Sequence, residues 1–363
     1  MKGYDEIAGL LRPNIASLVP YSCARNDFKG VAEVYLDANE NWRDFVGDKG
    51  RNRYPDPLST KVREGVEQAL GLPASDMVIG NGSDEIIDLL MRIFCGPGKD
   101  SILLLPPTYG AYRVFADIND VAVLTCPLTP GFQFDFPALE TALADEKANR
   151  IPEGGRCKLL FICSPNNPTG NAFPLEQIER ICAMFDGIVV VDEAYFDFSP
   201  YPSAATLLER YPRLVVMRTL SKSWALANAR VGIAVACEAI IRTMINTKYP
   251  YNLGGPSQEL AVEALAQAKA VEAASRKIIE AREALAAALA ALPAVRKVFP
   301  SDANFLLVQV DDPDGLCLWL RDQGIIIRNR SKELHCRGCV RVTVGSDAEN
   351  TRLVEALARY VRG

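Results

Sequence analysis

Residues 159–170 read L-L-F-I-C-S-P-N-N-P-T-G, an apolar run that ends at Cys163 and meets a turn carrying two prolines and a glycine. A short, unbroken apolar run of this kind suits a strand covered on both faces, the usual environment of a parallel sheet. Pro165, Pro168 and Gly170 restrict the backbone, so the amides of Asn166 and Asn167 are presented at a fixed place. That place is the C-terminal end of a strand, where open α/β sheets put their ligands. A bland tight turn has no need of two amides between prolines.

Working outward, the same alternation continues. Strand candidates are Ile102–Leu105, Val121–Leu124, Ile188–Val191, Leu214–Met217 and Ile233–Ala236. Between them lie the helical patterns Ser83–Phe94, Tyr109–Asp117, Leu175–Phe185 and Glu238–Asn246. This order predicts an α/β fold with a mostly parallel sheet and helices on both faces. Ser83 reads as a helix N-cap followed by acidic Asp84 and Glu85. From Pro256 to Leu292 the chain is alanine-rich and free of internal proline, which predicts one long helix or two joined end to end, closed by Pro293. Beyond it, strands at Phe305–Val310 and Val340–Val344 and helices at Asp314–Asp322 and Asp347–Val361 suggest a smaller α+β domain. The expected division is an N-terminal arm and part of the small domain (1–45), a large domain (46–250), a connecting helix (251–292) and a small C-terminal domain (293–363).

Composition narrows the chemistry. The 363 residues carry 40 Lys+Arg against 45 Asp+Glu, a net charge of −5, which gives no electrostatic reason to expect a nucleic-acid partner. There is a single histidine, His335. Multi-histidine metal sites are therefore excluded, and histidine-based nucleophilic catalysis would rest on that one residue. His335 with Cys336 and Cys339 offers three possible ligands where structural zinc wants four, so no metal is expected. No apolar stretch approaches the ~18 residues of a membrane span, and the N-terminus lacks the apolar core of a secretory signal. The ten cysteines then read as free buried thiols of a cytoplasmic protein. Proton chemistry falls to Lys, Tyr, Asp or Glu.

Three further loops supply it. G-N-G-S-D-E at 80–85 is a glycine turn feeding a helix N-terminus, an arrangement suited to phosphate. V-V-V-D-E-A-Y at 189–195 ends a buried strand on Asp192, costly there without a cationic or hydrogen-bonding partner, with Tyr195 three residues on. R-T-L-S-K-S-W-A-L-A-N-A-R at 218–230 sets Lys222 among small and apolar residues, where its amine is placed to lose its proton and act as a nucleophile, and ends at Arg230. Taken singly, each has an ordinary reading: a turn, an acidic loop cap, a solvated lysine. Together they offer an anion cradle, an amide, a buried acid, a phenol and a reactive amine, which is what pyridoxal phosphate requires.

At this point the sequence resembles a known family, the fold-type I, aspartate-aminotransferase-like pyridoxal-phosphate enzymes, and within them the histidinol-phosphate aminotransferases. S-P-N-N-P-T-G and the S-K…R signature carry the wider likeness. L-D-A-N-E-N at 36–41 and R-Y-P-D-P at 53–57 carry the narrower one, with V-P-Y-S at 19–22, P-P-T-Y-G at 106–110, Y-P-Y-N at 249–252 and C-V-R-V-T-V-G at 339–345. Two departures stand out: Trp42 where the family usually has proline after A-N-E-N, and Ser223 where alanine commonly follows the lysine.

The resemblance implies roles. Lys222 would bond the cofactor, Asp192 would pair with its ring nitrogen, and Asn167 and Tyr195 would meet its phenolic oxygen. Tyr109 would stack on the ring, while Ser83, Asp84, Thr219, Ser221 and Arg230 would hold the phosphate. Tyr54 would reach the cofactor of a neighbouring subunit, implying a homodimer with shared sites. Substrates would be histidinol phosphate and glutamate or 2-oxoglutarate, in histidine biosynthesis. One pocket must accept a phosphate and a carboxylate, so guanidinium anchors are expected; the resemblance supplies Arg328 and Arg341, with Tyr21 and Asn39 lining the pocket. Threonine-phosphate decarboxylation and a broad aromatic transamination are the alternatives.

Overall fold

The computed structural model describes residues 4–21, 23, 32–47, 49–145 and 154–360. Seven strands form the main sheet: β1 (Met77–Asn81), β2 (Ser101–Leu104), β3 (Ala122–Thr125), β4 (Cys157–Cys163), β5 (Ile188–Asp192), β6 (Leu214–Thr219) and β7 (Val231–Ala236), in the order β1-β7-β6-β5-β4-β2-β3. Neighbours from β3 through β6 are parallel; β7 is antiparallel to both β6 and β1. Strand alternation sorts the side chains into two layers. Leu159, Phe161 and Cys163 of β4 join Ile188 and Val190 of β5 in one core, while Leu160 and Ile162 join Val189 and Val191 in the other.

A second sheet of four strands follows: β8 (Val295–Val298), β9 (Phe305–Val310), β10 (Arg328–Asn329) and β11 (Cys339–Thr343), ordered β10-β11-β9-β8 and antiparallel throughout. The alanine-rich region between the sheets is two helices, Gly255–Leu265 and Ala268–Ala290, the second reaching the small sheet's core through Leu285 and Leu289. The last helix runs Asp347–Ala358, opened by a capping box between Ser346 and Glu349; Val361, where it was expected to end, lies outside the described residues, as do Met1 to Gly3 and Ser22.

Three expectations are corrected. Strand β1 has no counterpart in the sequence reading, because Gly80-Asn81-Gly82 reads as a turn when its buried pairing with β7 is unknown. The helix expected to start from a Ser83 cap begins at Gly82 instead, with Asn81 at the cap position. The N-terminal arm also packs elsewhere than expected. Ile7 and Leu10 are buried in the large sheet's core, Arg12 binds backbone at Arg92 and Ile93, and Lys158 donates to the Leu10 carbonyl at 2.8 Å. A short amphipathic arm goes where apolar surface awaits it, and here that surface belongs to the helices Gly82–Phe94 and Glu238–Thr247.

Candidate active site

The strand ends β4, β5 and β6 and the helix start at Gly82 converge on one cavity of about 220 Å³. Ser83, Asp84, Tyr109, Asn167, Asp192, Tyr195, Thr219, Ser221, Lys222, Arg230 and Arg341 all line it. Residues far apart in sequence meet because parallel strands share one C-terminal edge.

Asp192 is the best-defined member. It closes β5 on the same face as Ile188 and Val190, only 3% exposed, and accepts a hydrogen bond from the Tyr112 hydroxyl at 2.7 Å and the Ala194 N–H at 3.1 Å. Burial raises its pKa to about 6, the two hydrogen bonds opposing that rise. Tyr112, itself fully buried, was not singled out in the sequence: at its helical spacing it reads as a core aromatic, and only the fold brings it to Asp192. The Cys163 thiol lies in the same cavity, and burial pushes its pKa up, away from reactivity.

Lys222 follows β6 and projects its ammonium to 5.3 Å from the Tyr195 ring centre. Partial burial, then the charge of Arg341, lowers its pKa below the usual lysine value. The side chain keeps an exposed edge, and the shift is in the direction that favours a free amine. Tyr195 is held edge-on against Phe305, with ring centres 5.1 Å apart, and its hydroxyl accepts from Asn167 Nδ2 at 3.4 Å. Burial raises its pKa. The two amides of 164–170 divide their work. Asn166 ties the loop together through Pro107, Thr108 and Thr169, whereas Asn167 faces the cavity and accepts from Arg341 Nη1 at 2.5 Å.

The anion cradle is built from backbone. Gly82 sits at φ +78°, its N–H bonded to the Arg230 carbonyl at 2.8 Å, and a Cβ there would collide with the Arg230 guanidinium. Arg230 adopts φ +56° and lies 3.5 Å from Asp84. Tyr109 also reaches Asp84, at 3.3 Å, and burial raises its pKa to about 12. Thr219 Oγ1 donates to the Val231 carbonyl and accepts from the Ser221 N–H. Gly82→Ala is expected to cost about 1–2 kcal/mol through the positive φ alone and to weaken phosphate-bearing ligands several-fold by displacing Arg230. Denaturant unfolding and equilibrium dialysis with pyridoxal phosphate check both effects.

These residues fit pyridoxal phosphate. The acid at the strand end is buried with a raised pKa and, among the described residues, makes no ion pair within 4 Å, so a protonated ring nitrogen would satisfy it. Free N–H groups at a helix start, beside Arg230, suit a phosphate. Lys222 supplies the amine.

Four expected contacts lie outside this cavity. Tyr21 is 76% exposed. Arg328 is exposed on β10, opposite Arg341 in the register with β11, and bears on the site only through its charge, which helps depress the Arg341 pKa. Arg330, two residues on, lines the cavity instead; no periodicity marks it, because β10 is only two residues long. Asn39 and Tyr54 line a separate depression of about 850 Å³ beside the helix Gly255–Leu265, and Tyr54 stacks on Tyr251 at 4.4 Å.

Comparison with known proteins agrees with this geometry. The family model described as aminotransferase class I and II matches residues 23–357. The chain belongs to that family. It is 44% identical to a histidinol-phosphate aminotransferase of Cytophaga hutchinsonii, over 97% of this chain and 98% of that protein. Among solved structures, a histidinol-phosphate aminotransferase from Clostridium acetobutylicum superposes with a TM-score of 0.76 at 22% identity, covering 85% of this chain and 91% of that one. One from Sinorhizobium meliloti, in complex with pyridoxal-5'-phosphate, gives 0.75 at 22% identity, covering 86% and 83%. At that identity the structures speak to the fold, a fold-type I aminotransferase with a mostly parallel sheet.

Proposed function

We infer that this chain is a pyridoxal-phosphate-dependent transaminase that exchanges the amino group between L-histidinol phosphate and 2-oxoglutarate, giving imidazole acetol phosphate and L-glutamate, as a step of histidine biosynthesis. The observation that carries the reading is one cavity in which a lysine with a lowered pKa faces both a buried acid and a pair of arginines. Kinship with histidinol-phosphate aminotransferases over nearly the whole chain supports the substrate.

Pyridoxal phosphate, when bound, supplies the electron sink that makes a substrate Cα–H acidic. The chain does the rest. Lys222 Nζ, whose hold on its proton is weakened by partial burial and the Arg341 charge, takes the substrate proton and returns it, so no histidine is needed. Asp192 keeps a proton at the ring nitrogen, while Tyr195 and Asn167 hold the phenolic oxygen. Arg341 and Arg330 anchor the substrate anion; burial and then the Arg330 charge lower the Arg341 pKa, a cost that a phosphate or carboxylate relieves. Arg341→Lys is expected to lower kcat/KM for histidinol phosphate by about 10²-fold, because an ammonium cannot replace a planar two-point contact. Steady-state kinetics with both substrates measures it.

Purified, cofactor-loaded protein given histidinol phosphate and 2-oxoglutarate should form glutamate. No glutamate, with carbon dioxide released from threonine phosphate, would transfer the reading to a decarboxylase. Activity on phenylalanine or tyrosine exceeding that on histidinol phosphate would transfer it to a broad aromatic transaminase.

The assembly proposed is a symmetric dimer. Its support is the depression holding Asn39 and Tyr54, where a half-exposed tyrosine would meet a neighbour's cofactor. A division into residues 46–250 and 293–363, joined by 251–292, accords with the two sheets. A cytoplasmic location is also proposed, supported by ten cysteines that are all free thiols. Among the described residues no helix is long and apolar enough to cross a membrane.

A further inference from the structure

Behind the cavity lies a chain of polar side chains that none of the roles above uses. Glu193, directly after Asp192, is buried and pairs with Arg218 Nε at 2.7 Å. Glu193 also accepts from the Ser203 hydroxyl at 2.8 Å and the Ala204 N–H at 2.7 Å. Arg218, buried on β6, lies over the Phe196 ring at 3.7 Å and reaches Asp197 at 3.9 Å. Asp197 accepts a hydrogen bond from the Ser223 hydroxyl, and Ser223, itself buried, directly follows Lys222. The path therefore runs from the residue after the acid to the residue after the lysine, through Glu193, Arg218, Asp197 and Ser223, and none of the four lines the cavity.

A buried carboxylate and guanidinium, with the half-buried Asp197 beside them, are an expensive set to keep out of water, and such a set is retained more readily for the geometry it specifies than for stability. Its hydrogen bonds reach both carboxylates: Arg218, Ser203 and Ala204 donate to Glu193, and Ser223 donates to Asp197, which meets Arg218 as an ion pair at 3.9 Å. The serine is also the residue at which this chain departs from the alanine common after the lysine. The turn it belongs to needs bracing, since Ala225, two residues on, sits at φ +55°.

We propose that Ser223 and Asp197, braced by Arg218 and Glu193, are positioning residues that fix the Lys222 turn relative to Asp192. The network sets how far the lysine amine stands from the bound ring, and so how readily it moves a proton. The inference rests on Lys222 being the cofactor-bonding lysine, as proposed above.

The test uses the cofactor-loaded protein and two readouts: kcat and KM for each substrate, and the pH midpoint of the bound cofactor's visible absorbance. A misplaced amine slows proton transfer without loosening substrate anchors, so Ser223→Ala should lower kcat about tenfold and leave KM for 2-oxoglutarate within about twofold. The absorbance midpoint should move by about half a unit or more, and Ser223→Thr, which keeps the hydroxyl, should restore both. Asp197→Asn should act in the same direction. The double variant should be no worse than the more severe single one, because the two act as a unit. Wild-type kcat and midpoint in both single variants would overturn the inference. So would losses that multiply, or a fall in kcat matched by lost folded protein with an unmoved midpoint. Lys222→Ala is the separate control: if its absorbance still titrated like wild type, the underlying lysine assignment would fall, and this inference with it.

Discussion

Lys222→Ala is expected to lose transamination by at least about 10⁴-fold while still binding pyridoxal phosphate, now held without a covalent bond. The size follows from two jobs resting on one nitrogen: bonding the cofactor, and carrying a proton between two carbons. Among the described residues no other amine lines the cavity, whose remaining cations are the guanidiniums of Arg230, Arg330 and Arg341. Guanidinium does not deprotonate in proteins, so none can substitute. For the same reason Lys222→Arg should be nearly as inactive as the alanine variant although it preserves the charge. Single-turnover mixing of loaded variants with histidinol phosphate is the measurement. Recovery of more than about a tenth of wild-type turnover in the arginine variant would mean that the position needs a positive charge and not a removable proton. The acid limb of kcat/KM in the wild type should lie below the range of an ordinary lysine, in the direction that burial and Arg341 shift Lys222.

How much of this was readable in advance depended on whether a residue's meaning is local. Strands β2 and β4 to β7 announced themselves as apolar runs, since a strand covered on both faces leaves few polar positions to disguise it, and the edge strand β3 did so although Ala122 and Thr125 are exposed. Asp192 and Asn167 were legible for a related reason: a polar residue at the end of such a run has one obvious place to point. β1 was not legible, because three apolar residues before Gly80-Asn81-Gly82 look like the approach to a turn until β7 is set beside them. Tyr112 could not be connected to Asp192 without the fold, since 80 residues separate them and its helical spacing says only that it is buried. Arg330 was hidden because strand alternation puts Arg328 and Arg330 on the same face, and only the end of β10 at Asn329 separates their positions. The arm was misplaced because amphipathicity predicts burial but does not name the surface that receives it. The Glu193–Arg218–Asp197–Ser223 path is the extreme case: each member is an unremarkable charged or polar residue, and only three-dimensional order makes a chain of them.

The second large effect concerns Asp192, and it has opposite signs with and without cofactor. Burial raises its pKa to about 6 in the folded chain from the ordinary carboxylate value of 3.8, so the folded state holds this proton more tightly than the unfolded state does. For a carboxylate raised in this way the contribution to stability is fullest below the unfolded value. It declines as pH climbs from about 4 to about 6, and above that window the cofactor-free protein bears a charge its interior disfavours. At ~1.4 kcal/mol per unit the penalty at pH 8 is about 3 kcal/mol. Asp192→Asn removes it while keeping shape and an oxygen for the Tyr112 hydroxyl, so the cofactor-free variant should unfold at higher denaturant than wild type at pH 8, with only about a third of that difference left at pH 4.5. Loading with pyridoxal phosphate should reverse the order, because an amide cannot stabilise a protonated ring nitrogen, and turnover should fall about 10³-fold. The two measurements together separate the roles of one side chain. Equal stability of the two cofactor-free proteins at pH 8 would mean that the Tyr112 and Ala194 hydrogen bonds already compensate the buried charge. In that case a cation at the ring nitrogen would not be what completes the site.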